Sequence, residues 1–228
     1  MKRIIALILC VLCALTVFAS CGKKDNNDKN IDDKGYSEED IVTQDGYSYV
    51  IKDEKAIIVK YSVHDNKHLV EIPETLGGKP VAVIAKGAFE NYDFKIVDAN
   101  EKGNVNSNEV KFPSTLETIE EDAFKGSTIN KAIMVYASKL KTIGANAFDG
   151  CENLVQLDIP ASVEEYGKNC FANCPHLKVV TFRGNFTPDA SIFTGSTKDF
   201  VVWTNTKNKD TIQFAKDNGY EFKTGDNI

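Results

Sequence analysis

Residues 142–182 read TIGANAFDGCENLVQLDIPASVEEYGKNCFANCPHLKVVTF, and one phrase occurs in them twice, as TIGANAF ending at Phe148 and EYGKNCF ending at Phe171. Working outward, VIAKGAF ends at Phe89 and TIEEDAF at Phe124, so the phenylalanines are 35, 24 and 23 residues apart. Each copy carries an apolar residue five positions earlier: Ile84, Ile119, Ile143 and Tyr166. Upstream, Ile72-Pro73, Phe112-Pro113 and Ile159-Pro160 close short extended stretches, because proline cannot donate to a strand ladder. Leu157 and Ile159 alternate with Gln156 and Asp158, and Val180 and Phe182 alternate with Val179 and Thr181, which marks strands.

A unit of this length holds a strand, a turn and a return segment, and cannot bury its apolar face alone. Neighbours must stack, and a stable array needs at least three coils. The pattern therefore predicts a mainly β solenoid with little helix. One short parallel strand per coil would build one sheet. Tyr47–Lys52 and Ala56–Val63 read as an N-terminal β-hairpin cap. GNFTPDASIF reaches Phe193 as a degraded last coil, with VVWTNT (201–206) as its strand. A short C-terminal helix is expected within residues 209–222, with Asp210 as N-cap, Ile212 and Ala215 on one face, and Gly219 as the stop.

The 142–182 stretch resembles bacterial leucine-rich repeats of the BspA-like type, whose units run isoleucine-glycine, alanine-phenylalanine, a small residue and cysteine, leucine, then isoleucine-proline-serine-valine. The likeness is dense over residues 129–182 and looser over about 69–222. It implies a leucine-rich-repeat solenoid of the kind found on bacterial surfaces, where family members bind host proteins or other cells. About 12 residues are extra between Phe89 and Phe124, placed at Asp98–Glu109, and insertions in repeats map to loops on one face.

Ahead of the repeats, Lys2 and Arg3 precede an apolar run from Ile4 to Phe18 and the small residues Ala19 and Ser20, the layout of a signal peptide over residues 1–20. The run is short for a membrane-spanning helix. Phe18-Ala19-Ser20-Cys21 resembles a lipobox, with phenylalanine where leucine is usual, which implies a bacterial lipoprotein acylated (palmitate-type) on Cys21. Residues 21–44 are polar and read as a disordered tether, leaving 45–228 as the repeat domain. The expected location is extracytoplasmic, lipid-anchored to a bacterial membrane or cell surface. A Gram-positive membrane and an outer membrane both fit.

The chain carries a net charge of −6, and all 33 acidic residues lie beyond residue 20, which argues against nucleic acid as a partner. No cofactor or metal is expected. His64 and His68 stand in HDNKH without the helix or glutamate of a zinc motif. Cys151, Cys170 and Cys174 beside His176 match no strong zinc spacing. Cys151 and Cys174 share one repeat position and read as core thiols, with a disulfide across adjacent coils as the alternative.

Recognition without catalysis is the leading reading, with an unknown protein or glycan as partner and a monomeric chain. The other readings are a structural envelope protein and an extracellular thiol- or metal-dependent enzyme centred on Cys170, Cys174 and His176. Side chains pointing out of the strands would form the binding face: Glu71, Lys111, Ile133, Asp158 and Thr181, flanked by Tyr136 and Arg183. Aromatic and arginine side chains dominate binding hot spots, which singles out the last two.

The N-terminal reading predicts that cells fed an alkyne-tagged fatty acid label the wild-type chain and not Cys21→Ser. Equal labelling of both would remove the lipid anchor.

Overall fold

The computed structural model describes residues 35–62, 69–94, 108–186 and 189–225; the signal peptide, Cys21, HDNKH and residues 98–107 of the insertion lie outside them. The chain starts with an antiparallel meander of β1 (Val42–Gln44), β2 (Tyr47–Lys52) and β3 (Lys55–Tyr61). The first coil follows as β4 (Leu69–Glu71), β5 (Thr75–Leu76) and β6 (Lys79–Ile84). The next coils carry β7 (Glu109–Lys111) with β8 (Thr118–Ile119), β9 (Lys131–Ile133) with β10 (Thr142–Ile143), and β11 (Gln156–Ile159) with β12 (Glu165–Tyr166). Last come β13 (Val179–Phe182), β14 (Val201–Thr204), helix α1 (Lys209–Asp217) and β15 (Glu221–Thr224).

These strands build a leucine-rich-repeat solenoid. β4, β7, β9, β11, β13, β14 and β15 pair in parallel as one seven-stranded sheet, the face that the proline-closed stretches predict. The first four coils also add what the sequence pattern did not announce, a second ladder that continues the hairpin sheet through β6 and the two-residue strands β8, β10 and β12. Two residues are too few to show alternation, so only the recurring isoleucine marked them.

The interior is filled by equivalent residues of successive coils. Val70, Val110, Ala132, Leu157, Val180 and Val202 line the inner side of the seven-stranded sheet, and Ile84, Ile119 and Ile143 line the second ladder, all buried. Between them the phenylalanines stack. Ring centroids lie 4.6 Å apart for Phe89–Phe124, 4.9 Å for Phe124–Phe148, 5.6 Å for Phe148–Phe171 and 5.8 Å for Phe171–Phe193. Tyr61 closes the N-terminal end of this column and Phe200 the other.

The backbone around each phenylalanine is what makes the stack. Two residues before it, Gly87, Asp122, Asn146 and Asn169 have φ between 53° and 60°, and two residues after it, Asn91, Gly126, Gly150, Asn173 and Gly195 have φ between 51° and 74°. Only glycine, asparagine and aspartate, which tolerate the left-handed region, fill these places. The resulting corner aims alternate N–H groups at the next coil: Asn146 to Lys168 O (3.0 Å), Phe148 to Cys170 O (2.8 Å) and Gly150 to Ala172 O (3.0 Å), repeated at Asp122, Phe124 and Gly126. At Gly167 a Cβ would lie 2.1 Å from Ala145 N, so only glycine allows the coils to approach this closely.

Four expectations change, at the two ends and at the insertion. β1 lies inside the stretch read as tether, and Tyr36 and Ile41 pack on a small cluster of Val50, Ile57, Val59 and Ala85, so order begins before residue 45. Asn108 and Glu109, counted with the insertion, belong to the coil: Asn108 is buried and bonds to Thr128 O, and Glu109 starts β7. The helix cap is Asn208 rather than Asp210, and Asn208 spends its amide on Gly184 O and Thr204 Oγ1. Its buried face is Thr211, Phe214 and Ala215, with Ile212 half-buried, because Phe214 must reach Phe182 and Tyr220. Gly219, at φ 71°, ends it as expected.

Candidate recognition surface

The parallel register puts Glu71, Lys111, Ile133, Asp158 and Thr181 side by side on the solvent face of the seven-stranded sheet. The predicted row of five extends two strands further, through Trp203 of β14 and Lys223 of β15. VVWTNT offered the signal, but it lies in the degraded part of the repeat, without the apolar-proline pair of Ile72-Pro73, Phe112-Pro113 and Ile159-Pro160. A second outward row runs Leu69, Glu109, Lys131, Gln156, Val179, Val201 and Glu221.

Two members of the predicted row are less open than expected. Asp158 and Thr181 each keep only 8% of their surface. For Asp158 the cause is Arg183, whose Nε donates to Asp158 Oδ1 (2.6 Å) and Nη2 to Oδ2 (2.8 Å). The Asp158 hydrogen bond raises the Arg183 pKa, against a smaller opposing effect of burial. A two-bond pair with side-chain exposures of 11% and 28% is geometrically fixed. Lys111 and Glu71, 3.1 Å apart, are by contrast a mostly exposed pair worth little stability.

Tyr136 stands beyond the strand ends in the turn after β9. At 64% exposure it is the most open large apolar side chain among the described residues. With Glu71, Pro73, Glu74, Lys111 and Pro113 it lines a cleft of about 430 Å³. Burial raises the Glu74 pKa, but bonds from Ser114 N and Oγ, both 2.9 Å, and from Thr115 outweigh it and hold the carboxyl below its usual value.

Cys151, Cys170 and Cys174 sit elsewhere, inside the stack. Ser127, Cys151, Cys174 and Ser196 each follow a phenylalanine by three residues, and each of the last three reaches back to the phenylalanine carbonyl one coil earlier: Cys151 Sγ to Phe124 O (3.2 Å), Cys174 Sγ to Phe148 O (3.3 Å) and Ser196 Oγ to Phe171 O (2.7 Å). Cys151, Cys170 and Cys174 are free and buried. Burial pushes the Cys174 thiol up to about 12 and the other two higher still. His176 is exposed, with Nδ1 2.7 Å from Glu152 O. Burial thus disfavours the thiolate on which cysteine reactivity depends. Among the described residues no group of three or more His, Cys, Asp or Glu side chains is placed to hold a metal ion.

A solenoid of short coils with phenylalanine corners and an outward strand row defines a class of repeat protein. A family model described as a BspA type leucine-rich repeat region matches residues 95–216 in six copies, and the chain belongs to that family. Comparison with curated protein sequences gives no match. Among solved structures, the pneumococcal vaccine antigen PcpA is similar at 20% identity and TM-score 0.49 over 72% of this chain and 46% of its own length. A leucine-rich cell surface protein from Faecalibacterium prausnitzii gives 24% and 0.46 over 72% and 45%. A leucine-rich repeat protein from Bacteroides capillosus gives 26% and 0.47 over 62% and 96%. The chain thus spans less than half the length of the first two.

The raised thiol pKa values make alkali destabilising. Unfolding releases protons that the fold retains, so stability falls as pH rises through the ordinary thiol pKa near 9, by up to about 1.4 kcal/mol per pH unit for each thiol. Denaturant titrations between about pH 8 and pH 10.5 should show this loss, and a Cys151→Ser, Cys170→Ala, Cys174→Ser variant should lose less. Parallel losses in the two chains would contradict the buried-thiol account.

Proposed function

We propose that the chain is a lipid-anchored, extracytoplasmic recognition module that binds a protein or glycan partner on the seven-stranded face and carries out no catalysis. One observation carries the reading: an unbroken row of outward side chains across seven strands, which includes Trp203 and is flanked beyond the strand ends by Tyr136 and Arg183. The scaffold spends its apolar residues on the interior column and leaves this face to be set coil by coil. Membership of a leucine-rich-repeat family supports a recognition role. The lipobox at Cys21 supports attachment through acyl chains, and two or three such chains hold a protein on a membrane durably. The chain is expected to act as a monomer.

The full chain, bound to beads, should capture a ligand from host extracellular matrix, a glycan panel or the bacterium's own envelope extract. A Tyr136→Ala, Arg183→Ala variant should lose that ligand while retaining its thermal transition. Capture from none of the three pools would favour a structural envelope role. Capture undiminished in the variant would move the site off this face.

A further inference from the structure

Arg183 stands apart both in residue type and in its place on the coil. Apart from Arg3 it is the sole arginine in a chain whose other cations are lysines. It also stands two residues beyond the outward row, a place held by Pro73, Pro113 and Pro160 in three coils and by the uncharged Val135, Asn205 and Gly225 in the others. A lysine could have neutralised Asp158 with one ammonium group. What arginine adds is a planar fork with two usable edges. Asp158, almost fully covered and rigid in β11, engages the Nε–Nη2 edge. The Nη1–Nη2 edge has no partner among the described residues, and the side chain remains 28% exposed.

We infer that Asp158 and Arg183 form a pre-oriented carboxylate-binding site, which takes an Asp or Glu side chain of a protein partner on the outer edge of the guanidinium. Asp158 is the positioning residue and Arg183 the binding residue. The inference rests on the recognition reading and names the chemistry of the partner. Since Asp158 offsets the charge of Arg183, the site selects by two parallel N–H···O bonds rather than by long-range attraction, and so distinguishes carboxylate from amide. The surroundings favour a peptide over an acidic sugar. Trp203 and Thr181 are register neighbours, Val179 and Val201 lie in the adjoining row, and Tyr136 is close enough to interact electrostatically with Arg183. Val179 and Val201 offer apolar surface for side chains flanking the acid, while Lys223 Nζ lies 5.9 Å from the centroid of the Trp203 ring.

The test follows the two Arg Nε–H resonances of the full chain, with Arg183→Lys identifying which belongs to Arg183. Probes are the blocked peptides acetyl-Leu-Glu-Leu-amide and acetyl-Leu-Gln-Leu-amide, and glucuronic acid. The Arg183 resonance should shift saturably with the glutamate peptide, about tenfold more tightly than with the glutamine peptide or glucuronic acid. Backbone resonances of Thr181 and Trp203 should report a loss of about tenfold for the glutamate peptide in Arg183→Lys, which keeps the charge and loses the fork, and a smaller loss in Asp158→Asn. Equal binding of the two peptides, binding unchanged in Arg183→Lys, or tighter binding of glucuronic acid would overturn the assignment. A natural partner captured on beads, lost in Tyr136→Ala and kept in Arg183→Lys, would leave recognition standing and remove the carboxylate site.

Discussion

The left-handed corner on either side of each stacked phenylalanine is the constraint on which the rest of this molecule depends. It turns the chain within five residues, points one aromatic ring into the interior, and aims three N–H groups at the next coil. Stacking and hydrogen bonding therefore share one direction and one repeat distance, close to 5 Å. A ring placed without the corner would leave those amides unpaired in an apolar interior, and a corner without the ring would leave a void along the column; each would be costly.

Because the corner fixes the spacing of coils, it fixes the register of the sheet on the far side. Outward residues of successive strands need contribute nothing to folding, and they vary from coil to coil: Glu, Lys, Ile, Asp, Thr, Trp, Lys. The pairs that do form there differ in kind. Glu71 with Lys111 is an exposed contact, whereas Asp158 with Arg183 is covered and two-pronged. Stability is thus concentrated inside the solenoid and chemical variety on its face, an arrangement suited to binding.

The repeat was legible from Phe89, Phe124, Phe148 and Phe171 because each stands in a phrase whose neighbours recur. The strand row was legible from the proline pairs. The second ladder was not, since two-residue strands carry no periodicity, and the left-handed positions passed unnoticed because Gly, Asp and Asn alternate at them and share a backbone preference rather than a letter. Trp203 was missed with the degraded coil around it. The buried state of Asp158 depends on a side chain 25 residues later, a distance at which strand alternation gives no information. Cys151 and Cys174 were placed correctly in the core by their shared repeat position, while their role as donors to phenylalanine carbonyls needed coordinates.

The claim that the fold rests on the phenylalanine column, and leaves the sheet face free for a partner, is tested most directly by comparing the unfolding free energies of Phe148→Ala and Lys111→Ala with that of the wild type. The column account predicts a loss of about 3–5 kcal/mol for Phe148→Ala and less than about 1 kcal/mol for Lys111→Ala. Similar losses in the two variants would contradict it, because the face would then be holding the fold together.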